Sequence, residues 1–187
     1  MTKKHSPSLF TASLVASCLM TAPLAALVTA TAPSTAAAAA DHGKSGLPLP
    51  RFVSLKASRV NMRVGPGREY SVDWMFTKRG LPLEIIQEYD NWRKVRDADG
   101  DEGWILQSLL TGKRTAIVSP WLRDESGRVP LKSAPETGAT VVAVMEAGVL
   151  ADVETCNQGW CEVKAGGMKG YAEQVKLWGV YPDEAVK

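Results

Sequence analysis

From residue 57 onward, the chain consists of short apolar runs separated by clusters of Gly, Pro, Asp and Asn. Runs of this kind, too short for a helix and bounded by turn residues, are typical of β-strands. No segment has the sustained 3.6-residue periodicity of an amphipathic helix. The first predicted strands are Val60–Arg63, Ser71–Phe76, Leu83–Tyr89, Trp92–Arg96 and Trp104–Leu106. The pattern predicts a small all-β barrel, with Asp90–Asn91 as a two-residue hairpin turn.

The same succession occurs a second time, about 68 residues further along the chain. The matched positions include Val60 with Val129, Pro66 with Pro135, Trp92 with Trp160, Val95 with Val163, and Gly112 with Gly179. The two copies differ in length only within polar or Gly-containing stretches, where surface turns tolerate insertions. The sequence therefore predicts two tandem barrels. The predicted segments are barrel one at 57–112, a linker at 113–119, barrel two at 120–181 and a C-terminal tail at 182–187.

Residues 1–40 have a different composition from the rest of the chain. Lys3 and Lys4 are followed by a mostly apolar stretch from Leu9 to Val28, and then by small residues up to Ala40. A basic start, an apolar centre and an A-x-A ending are typical of a secretory signal peptide. We therefore predict that the protein is exported, to the periplasm or to the exterior.

Cleavage after Ala40 would leave a mature chain that begins at Asp41, with residues 41–56 as a flexible N-terminal arm. Two alternatives stay open. One is a single membrane anchor, although a spanning helix needs about 20 strongly apolar residues and this stretch is rich in Ala, Thr, Ser and Pro. The other is a lipoprotein modified at Cys18, although apolar residues continue beyond that cysteine. In neither the signal-peptide nor the lipoprotein case does the mature chain span a membrane.

The charge of the mature chain excludes one class of partner. The whole chain has 22 basic and 20 acidic residues, and the predicted signal peptide contains two of the lysines and no acid. The mature chain is therefore formally neutral. Since nucleic-acid binding relies on an excess of Lys and Arg that neutralises phosphates, we predict no nucleic-acid partner.

The scarcity of histidine limits the chemistry that the chain can perform. His5 lies in the predicted signal peptide and His42 in the predicted arm, so neither predicted barrel contains a histidine. This excludes His-based acid–base catalysis, Ser–His and Cys–His nucleophile pairs and most catalytic zinc sites. We predict no enzymatic activity, no catalytic residue, no cofactor and no metal. A pair of carboxylates that cleaves a glycan stays open as an alternative.

At this point the first copy resembles a known family. The string V-N-M-R-V-G-P-G at residues 60–67, the segment N-W-R-K-V at 91–95 and the G-W-I at 103–105 resemble the bacterial SH3-like (SH3b) domain. The second copy is degenerate, with Pro130 and Leu131 in place of the N-x-R motif and Ala134-Pro135-Glu136 in place of Gly-Pro-Gly. The final L-W-G-V-Y-P-D-E suggests exported tandem proteins of this type from Gram-negative bacteria. The resemblance implies cell-wall or peptide binding in the bacterial envelope, and it does not imply catalysis.

The hairpin turn in each copy has a notable pair of residues beside it. In the first copy, Glu88 and Arg93 are the second residues on either side of the turn. In the second copy, Cys156 and Cys161 take these places. A two-residue turn makes this a non-hydrogen-bonded pair with Cα atoms about 4.5 Å apart, which is within disulfide range. In an exported protein, this even pair of cysteines predicts a disulfide. A redox-active C-x4-C pair is the alternative.

Strand alternation leaves the role of the aromatic residues partly open. Trp92, Lys94 and Arg96 share one face of their strand, and Arg93 and Val95 share the other, so Trp92 faces either the core or a ligand. Trp104 and Tyr171 follow glycine at a strand start, and we interpret both as core residues. The acids of the D-A-D-G-D-E-G segment at 97–103 are interpreted as a solvated hairpin tip, because the bidentate Glu of a calcium loop is missing.

The predicted ligand site lies in barrel one, which retains the motif residues that barrel two lacks. The groove is expected between the G-P-G-R-E-Y loop at 65–70 and the Asp90–Asn91 hairpin. Arg63 is expected to pair with a carboxylate of a wall peptide, and Tyr70 and Trp92 to offer stackable surface. The predicted ligand-binding residues are Asn61, Arg63, Tyr70, Asn91 and Trp92.

Two hypotheses for function follow from these observations. In the first, the protein is a non-enzymatic envelope module that recognises peptidoglycan or cell-wall peptides through a shallow SH3-like groove. In the second, it is a periplasmic protein–protein adaptor, in which strand edges or the L-P-L-P arm at 47–50 contact another envelope protein. The sequence alone leaves the identity of the ligand open.

Overall fold

The computed structural model of the chain describes residues 41–122 and 125–187. The predicted signal peptide and Cys18 therefore lie outside the described residues. Within these ranges the secondary structure consists of short strands and of single-turn 3-10 helices at Gln107–Leu109, Glu125–Gly127 and Gln174–Lys176. No helix in the described ranges is long and apolar enough to cross a membrane.

The first half of the described chain forms a seven-stranded antiparallel sheet. Its strands are β3 (Arg51–Leu55), β4 (Val60–Arg63), β5 (Val72–Phe76), β6 (Pro82–Tyr89), β7 (Trp92–Arg96), β8 (Glu102–Leu106) and β9 (Leu110–Thr111). Their order across the sheet is β5-β4-β8-β7-β6-β3-β9. Two of the predicted strands, β4 and β7, have the bounds that the sequence pattern predicts.

The second half forms another seven-stranded antiparallel sheet. Its strands are β10 (Thr115–Val118), β11 (Val129–Lys132), β12 (Val141–Met145), β13 (Leu150–Asn157), β14 (Trp160–Ala165), β15 (Met168–Glu173) and β16 (Leu177–Trp178). Their order is β12-β11-β15-β14-β13-β10-β16, which repeats the first sheet strand for strand. Two-residue strands β1 (Asp41–His42) and β2 (Pro48–Leu49) form a separate small hairpin before the first sheet.

Bulges bend the two sheets at equivalent places. The register shifts between Met62 and Arg63 in β4 and between Leu131 and Lys132 in β11. Similar shifts occur in β6 and β13. Because a bulge increases local bend and twist, these irregularities help each sheet to curl around its own core. The fully buried members of these cores include Leu83, Val95 and Ile105 in the first barrel and Leu131, Cys161 and Val163 in the second. The prediction of two tandem SH3-like barrels is confirmed.

The structure corrects the predicted segment boundaries. Strand β3 belongs to the first sheet, so the first barrel begins within the predicted arm of residues 41–56 and not at residue 57. Strand β10 pairs with β13 and β16, so the second barrel begins inside the predicted linker at 113–119. Both strands were missed because they precede the motif-bearing stretch of each copy, and each has only four or five residues.

The predicted arm also contains the only histidine of the described residues. His42 lies in strand β1, where it is exposed and paired with Pro48. Its placement in an unstructured start was therefore wrong.

The arm is attached to the first barrel at Glu88. The carboxylate accepts hydrogen bonds from the Ser45 amide (2.8 Å) and hydroxyl (2.7 Å) and from Arg51 Nη2 (2.6 Å). Arg93, its cross-strand partner in β7, lies 3.3 Å away through Nε. The Glu88 side chain is 1% exposed, so this is a buried carboxylate whose charge is balanced by two guanidinium groups.

The C-terminal tail is attached to the second barrel at the equivalent position. Cys156 occupies the place of Glu88, and its backbone N–H and C=O each bond to Val186, at 2.9 and 3.0 Å. Gln174 Nε2 donates to the carbonyls of Tyr181 and Glu184. The predicted tail at 182–187 is therefore part of the second barrel, since buried Val186 belongs to its core cluster.

The predicted disulfide between Cys156 and Cys161 is confirmed. The two residues face each other across the β13–β14 hairpin, with Cα atoms 4.1 Å apart. Gln158 and Gly159 form the turn, and both have positive φ angles, 50° and 79°. That conformation suits the two-residue turn that sets the pair in register. The bond is buried, because Cys161 is fully covered and Cys156 nearly so.

The two barrels contact each other through an aromatic cluster. The Phe52 ring lies 5.1 Å from that of Trp178 in an edge-to-face arrangement and 4.7 Å from that of Tyr181. The Tyr181 hydroxyl donates to Glu84 of the first barrel at 2.8 Å. Burial first, and then this hydrogen bond, raise the pKa of Tyr181 far above its usual range. Thr115 Oγ1 adds a bond to the carbonyl of Gly80. The barrels therefore share a packed, hydrogen-bonded junction.

Glu88 gives the first barrel a specific pH dependence. Burial alone would raise the pKa of this carboxyl, but the hydrogen bonds from Ser45 and Arg51 and the charge of Arg93 outweigh it and lower the pKa to about 2. The folded pKa is depressed, so the contribution to stability is complete above the unfolded value near 4.5 and is lost as the pH falls toward 2. By linkage it amounts to about 3 kcal/mol. We expect urea unfolding between pH 5 and pH 2.5 to show a steeper loss of stability for the parent than for Glu88→Gln. Equal slopes would contradict this assignment.

Reduction of the disulfide should weaken the second barrel alone. The chain-entropy model gives about 2 kcal/mol for so short a loop. We expect dithiothreitol to lower the free energy of unfolding reported by Trp160, and to leave the Glu88-dependent acid transition of the first barrel unchanged. Peptide mapping after alkylation without reductant should show neither Cys156 nor Cys161 modified. Alkylation of both cysteines in protein recovered from the envelope would show that the bond is absent there.

Candidate functional site

A groove of about 430 Å³ lies on the outer face of the first barrel. It is bordered by β4 and the loop that follows it, the edge strand β5, the start of β7, the end of β8 and the single-turn helix Gln107–Leu109. Its lining residues are Arg59, Asn61, Arg63, Arg68, Met75, Trp92, Leu106 and Leu109. Three of the five predicted ligand residues, Asn61, Arg63 and Trp92, are therefore brought together in one groove.

The alternation of strand β7 turns Trp92 toward this groove. Val95 is fully buried in the core and Arg93 is buried beside Glu88, so the opposite face of the strand points outward. Trp92 is half-buried, and its cross-strand neighbours are Tyr89 and Leu106. It is not part of the core, which decides between the two interpretations that the sequence left open.

The interpretation of Trp104 and Tyr171 as core residues is wrong. Both are half-buried and lie outside the buried clusters. Trp104 packs edge-to-face against Tyr89, with ring centres 6.5 Å apart. The buried residues next to them are Gly103 and Ile105 in the first barrel. A Cβ on Gly103 would lie 2.4 Å from Met62, so the core requires glycine at that position and the following aromatic side chain faces outward.

Arg63 and Tyr70 hold the loop at one side of the groove. Arg63 Nη1 donates to the carbonyl of Tyr70 at 2.5 Å, which leaves other N–H groups of the guanidinium to face the groove. The Tyr70 ring lies against Gly65, where an added Cβ would be 2.4 Å from a ring carbon. Tyr70 is 43% exposed and is not among the residues that line the groove. Tyr70 therefore packs on the loop, whereas its selection as a ligand residue stays a prediction.

Asn91 likewise does not line the groove. Its side-chain oxygen accepts a hydrogen bond from Gln107 Nε2, and its backbone carbonyl accepts one from the Gln107 amide, both at 2.9 Å. Gln107 begins the single-turn helix that carries Leu109 to the groove. Asn91 therefore fixes the hairpin to this helix, whereas its selection as a ligand residue stays a prediction.

Sequence reasoning missed several of the lining residues. Arg59 precedes the first motif strand, and Arg68 lies inside the G-P-G-R-E-Y loop, where a charged residue is typical of a solvated turn. Met75, Leu106 and Leu109 come from strands and a helix that meet only in the folded barrel. Comparison of the two copies does contain a signal, since Arg68 aligns with Thr137 in the second copy.

The equivalent groove of the second barrel is nearly closed. Its volume is about 70 Å³. Pro130 replaces Asn61, and Lys132 replaces Arg63. The Lys132 ammonium bonds to the Thr137 carbonyl and lies 5.7 Å from the centre of the Trp160 ring, so it crosses the groove. Glu173 adds a carboxylate where the first barrel has Leu106.

Two other basic residues on the outward face of β7 are neutralised locally. Lys94 lies 2.7 Å from Glu102, and Arg96 lies 2.8 Å from the same carboxylate. Hydrogen bonds from Lys94 and then Arg96 lower the pKa of Glu102. The arginines that line the groove have no such carboxylate partner among the described residues.

The acidic segment at 97–103 forms a hairpin tip. The Asp97 carboxylate accepts hydrogen bonds from the amides of Asp99 and Asp101, each at 3.0 Å. Burial raises the pKa of Asp97 despite these bonds. Gly100 has a φ of 94°, as the turn requires. In the described residues, no group of three or more His, Cys, Asp or Glu side chains could hold a metal ion.

The sequence pattern of the bacterial SH3 domain matches residues 56–112 and 125–179. These two segments make up more than half of the chain, and one lies within each barrel, so the chain belongs to the bacterial SH3 domain family. The family assignment confirms the resemblance that the first copy shows in its sequence.

Among proteins of known annotation, the chain is similar to the predicted N-acetylmuramoyl-L-alanine amidase YrvJ of Bacillus subtilis (strain 168). The two are 24% identical over 129 residues, which cover 62% of this chain and 25% of the relative. The chain thus spans about a quarter of the length of that protein. Among solved structures it matches NlpC2 and NlpC1 of Trichomonas vaginalis, each at 14% identity and a TM-score of 0.31. These matches cover 69% and 73% of this chain and 48% of each solved chain.

The packing of Tyr70 on Gly65 predicts the effect of a single methyl group. Gly65→Ala should displace the tyrosine ring and lower the free energy of unfolding by about 1 kcal/mol, as overpacking does. Gly138→Ala, in the corresponding loop of the second barrel, is the matched control, because an added Cβ there meets no atom within 4 Å. Urea unfolding of both variants measures the difference. Equal stability would show that Tyr70 does not support the loop.

Proposed function

We propose that the protein is an exported, non-enzymatic binding module that recognises peptidoglycan or cell-wall peptides through the groove of its first barrel. The observation that carries this proposal is the contrast between two equivalent sites in one chain. The first barrel has a groove of about 430 Å³, and the second has about 70 Å³ in the same place. Since both copies keep the fold, the fold itself does not require an open groove, which supports a role for it in binding.

The chemistry of the groove suits a wall fragment. Trp92, with Met75, Leu106 and Leu109 around it, offers apolar surface on which a sugar ring or a peptide can lie. Arg63 retains free N–H groups for a carboxylate of a wall peptide. A shallow site of this size is expected to bind weakly, with a Kd of roughly 10⁻⁵–10⁻³ M, or about 4–7 kcal/mol.

Export and the absence of catalysis are parts of the same proposal. A buried disulfide is typical of proteins that fold in an oxidising compartment, which supports an envelope or extracellular location. The relative YrvJ bears the name of an amidase, but this chain matches only a quarter of it. The only described histidine, His42, is on the exposed arm hairpin and does not line the groove. We therefore propose a role in attachment and not in hydrolysis.

The adaptor alternative has one observation in its favour. Edge strands β5 and β12 each have a neighbour on one side only, and both carry exposed apolar side chains. These include Val72 and Trp74 in β5 and Val141, Val142 and Val144 in β12. An exposed apolar edge can accept a strand from another protein. Under this alternative the partner is another envelope protein and the wall itself is not bound.

A pair of matched tryptophan variants tests the proposal. Trp92→Ala should reduce co-sedimentation with purified cell-wall sacculi at least fivefold, because it removes the central apolar surface of the open groove. Trp160→Ala removes the equivalent residue of the nearly closed groove and should leave sedimentation unchanged. Melting temperatures of both variants identify any loss that results from unfolding.

Two outcomes would count against wall binding through this groove. If the parent protein fails to sediment with sacculi, the wall-binding proposal is wrong and the adaptor hypothesis takes its place. If Trp92→Ala and Trp160→Ala reduce sedimentation equally, the open groove is not the site. Release of soluble fragments from sacculi by the pure protein would contradict the proposed lack of catalysis.

A further inference from the structure

Arginines without carboxylate partners are concentrated in the groove of the first barrel. In the described part of the chain, Arg59, Arg63 and Arg68 have no carboxylate within ion-pair distance. Most other arginines of the described ranges do have one, among them Arg51, Arg93, Arg96, Arg114 and Arg128. No acidic residue lines the groove. Three like charges along one groove repel each other, so an anionic ligand would relieve that repulsion.

The second barrel has different charges at the equivalent positions. Arg128, which corresponds to Arg59, lies 3.9 Å from Glu146, and Glu146 corresponds to uncharged Thr77. Thr137 replaces Arg68, and Glu173 supplies a carboxylate to the closed groove. These three changes reduce the net positive charge of the second groove, whereas Lys176, which takes the place of Leu109, adds one ammonium group. The charge of the first groove is therefore a property of that site, and the fold does not require it.

The residues beside the arginines indicate the chemical character of the rest of the ligand. Trp92 and Met75 provide apolar surface within the same groove as the three guanidinium groups. A planar guanidinium binds a carboxylate through two parallel hydrogen bonds, which gives direction as well as attraction. The arrangement suits a ligand that has an apolar or sugar body and more than one anionic group. A neutral peptide or glycan would leave two or three charges unmatched.

We propose that the groove of the first barrel selects wall peptides by their free carboxylates, at least two of which pair with Arg59, Arg63 and Arg68. This inference rests on the proposed function and specifies its ligand. Amidation of the wall-peptide carboxylates removes the negative charge and weakens recognition. Binding also weakens with ionic strength, because exposed charges are screened over about 8–10 Å at physiological salt.

The experiment uses a soluble muropeptide with free carboxylates and the same muropeptide with those groups converted to amides. Binding to the mature chain is followed by calorimetry at low and at moderate salt.

The Arg59→Gln, Arg68→Gln double variant removes two exposed side chains that have no described ion pair, so the fold should be unaffected. Arg128→Gln in the second barrel is the matched control. We expect the double variant and the amidated ligand each to bind about tenfold more weakly, as two charge-assisted contacts are lost. Arg128→Gln should bind like the parent.

The possible outcomes separate this inference from the function on which it rests. If the parent binds both muropeptides equally, or if the double variant binds like the parent while Trp92→Ala abolishes binding, the carboxylate inference is wrong and wall binding stands. If the parent binds neither muropeptide nor sacculi, wall binding itself is wrong, and the carboxylate inference is wrong as well.

Inorganic phosphate is titrated in parallel. Binding of phosphate as tight as that of the free muropeptide, and equally sensitive to the double variant, would overturn carboxylate selection in favour of a phosphorylated wall polymer.

Discussion

The register of the β6–β7 hairpin is the constraint on which both the core and the groove of the first barrel depend. Its turn fixes Glu88 opposite Arg93 and Gln87 opposite Lys94, and side chains alternate strictly along β7 from that point. On the inward face of β7, Val95 lies in the core and Arg93 lies against a buried carboxylate. On the outward face, Trp92 lies in the groove. A slip of one residue would exchange these faces, bury the tryptophan and expose the ion pair. The turn residue Asp90, with a φ of 45°, is therefore linked to the site through the strand that follows it.

The cross-strand pair beside this turn also anchors a terminal segment of the chain in each barrel. The Glu88 carboxylate binds the N-terminal arm by accepting hydrogen bonds from Ser45, and the backbone of Cys156 pairs with that of Val186 in the tail. The two solutions differ in their response to conditions, since a buried carboxylate is sensitive to acid and a disulfide to reductant. Both hold the two strands of the hairpin in register at the same location. Both copies therefore fix a terminal segment to the hairpin at this position, the first through a buried carboxylate and the second beside a disulfide.

The two copies share the features that the fold requires, and they differ most in the groove. The strand order, the bulges and the glycine before Trp104 or Tyr171 are the same in both barrels. The groove, by contrast, is open and basic in the first copy and crossed by Lys132 in the second. The second barrel instead buries its tail and, through Tyr181 and Trp178, packs on Phe52 of the first. The open groove is thus a feature of the first barrel, and the contacts with the tail are a feature of the second.

The sequence by itself determined the class of fold, the repeat, the hairpin turns and the disulfide. Each of these depends on local spacing: alternation defines strands, two turn residues define a hairpin, and a hairpin defines which side chains face each other. It also selected Asn61, Arg63 and Trp92, three of the residues that line the groove, because they belong to recognisable local motifs. Only the tertiary structure decided that Trp92 and Trp104 lie outside the core, and that β3 and β10 complete the two sheets. It alone brought Arg59, Arg68, Met75, Leu106 and Leu109 into one groove. These residues come from separate strands, a loop and a short helix, and their proximity results from the curling of the sheet, which no local pattern encodes.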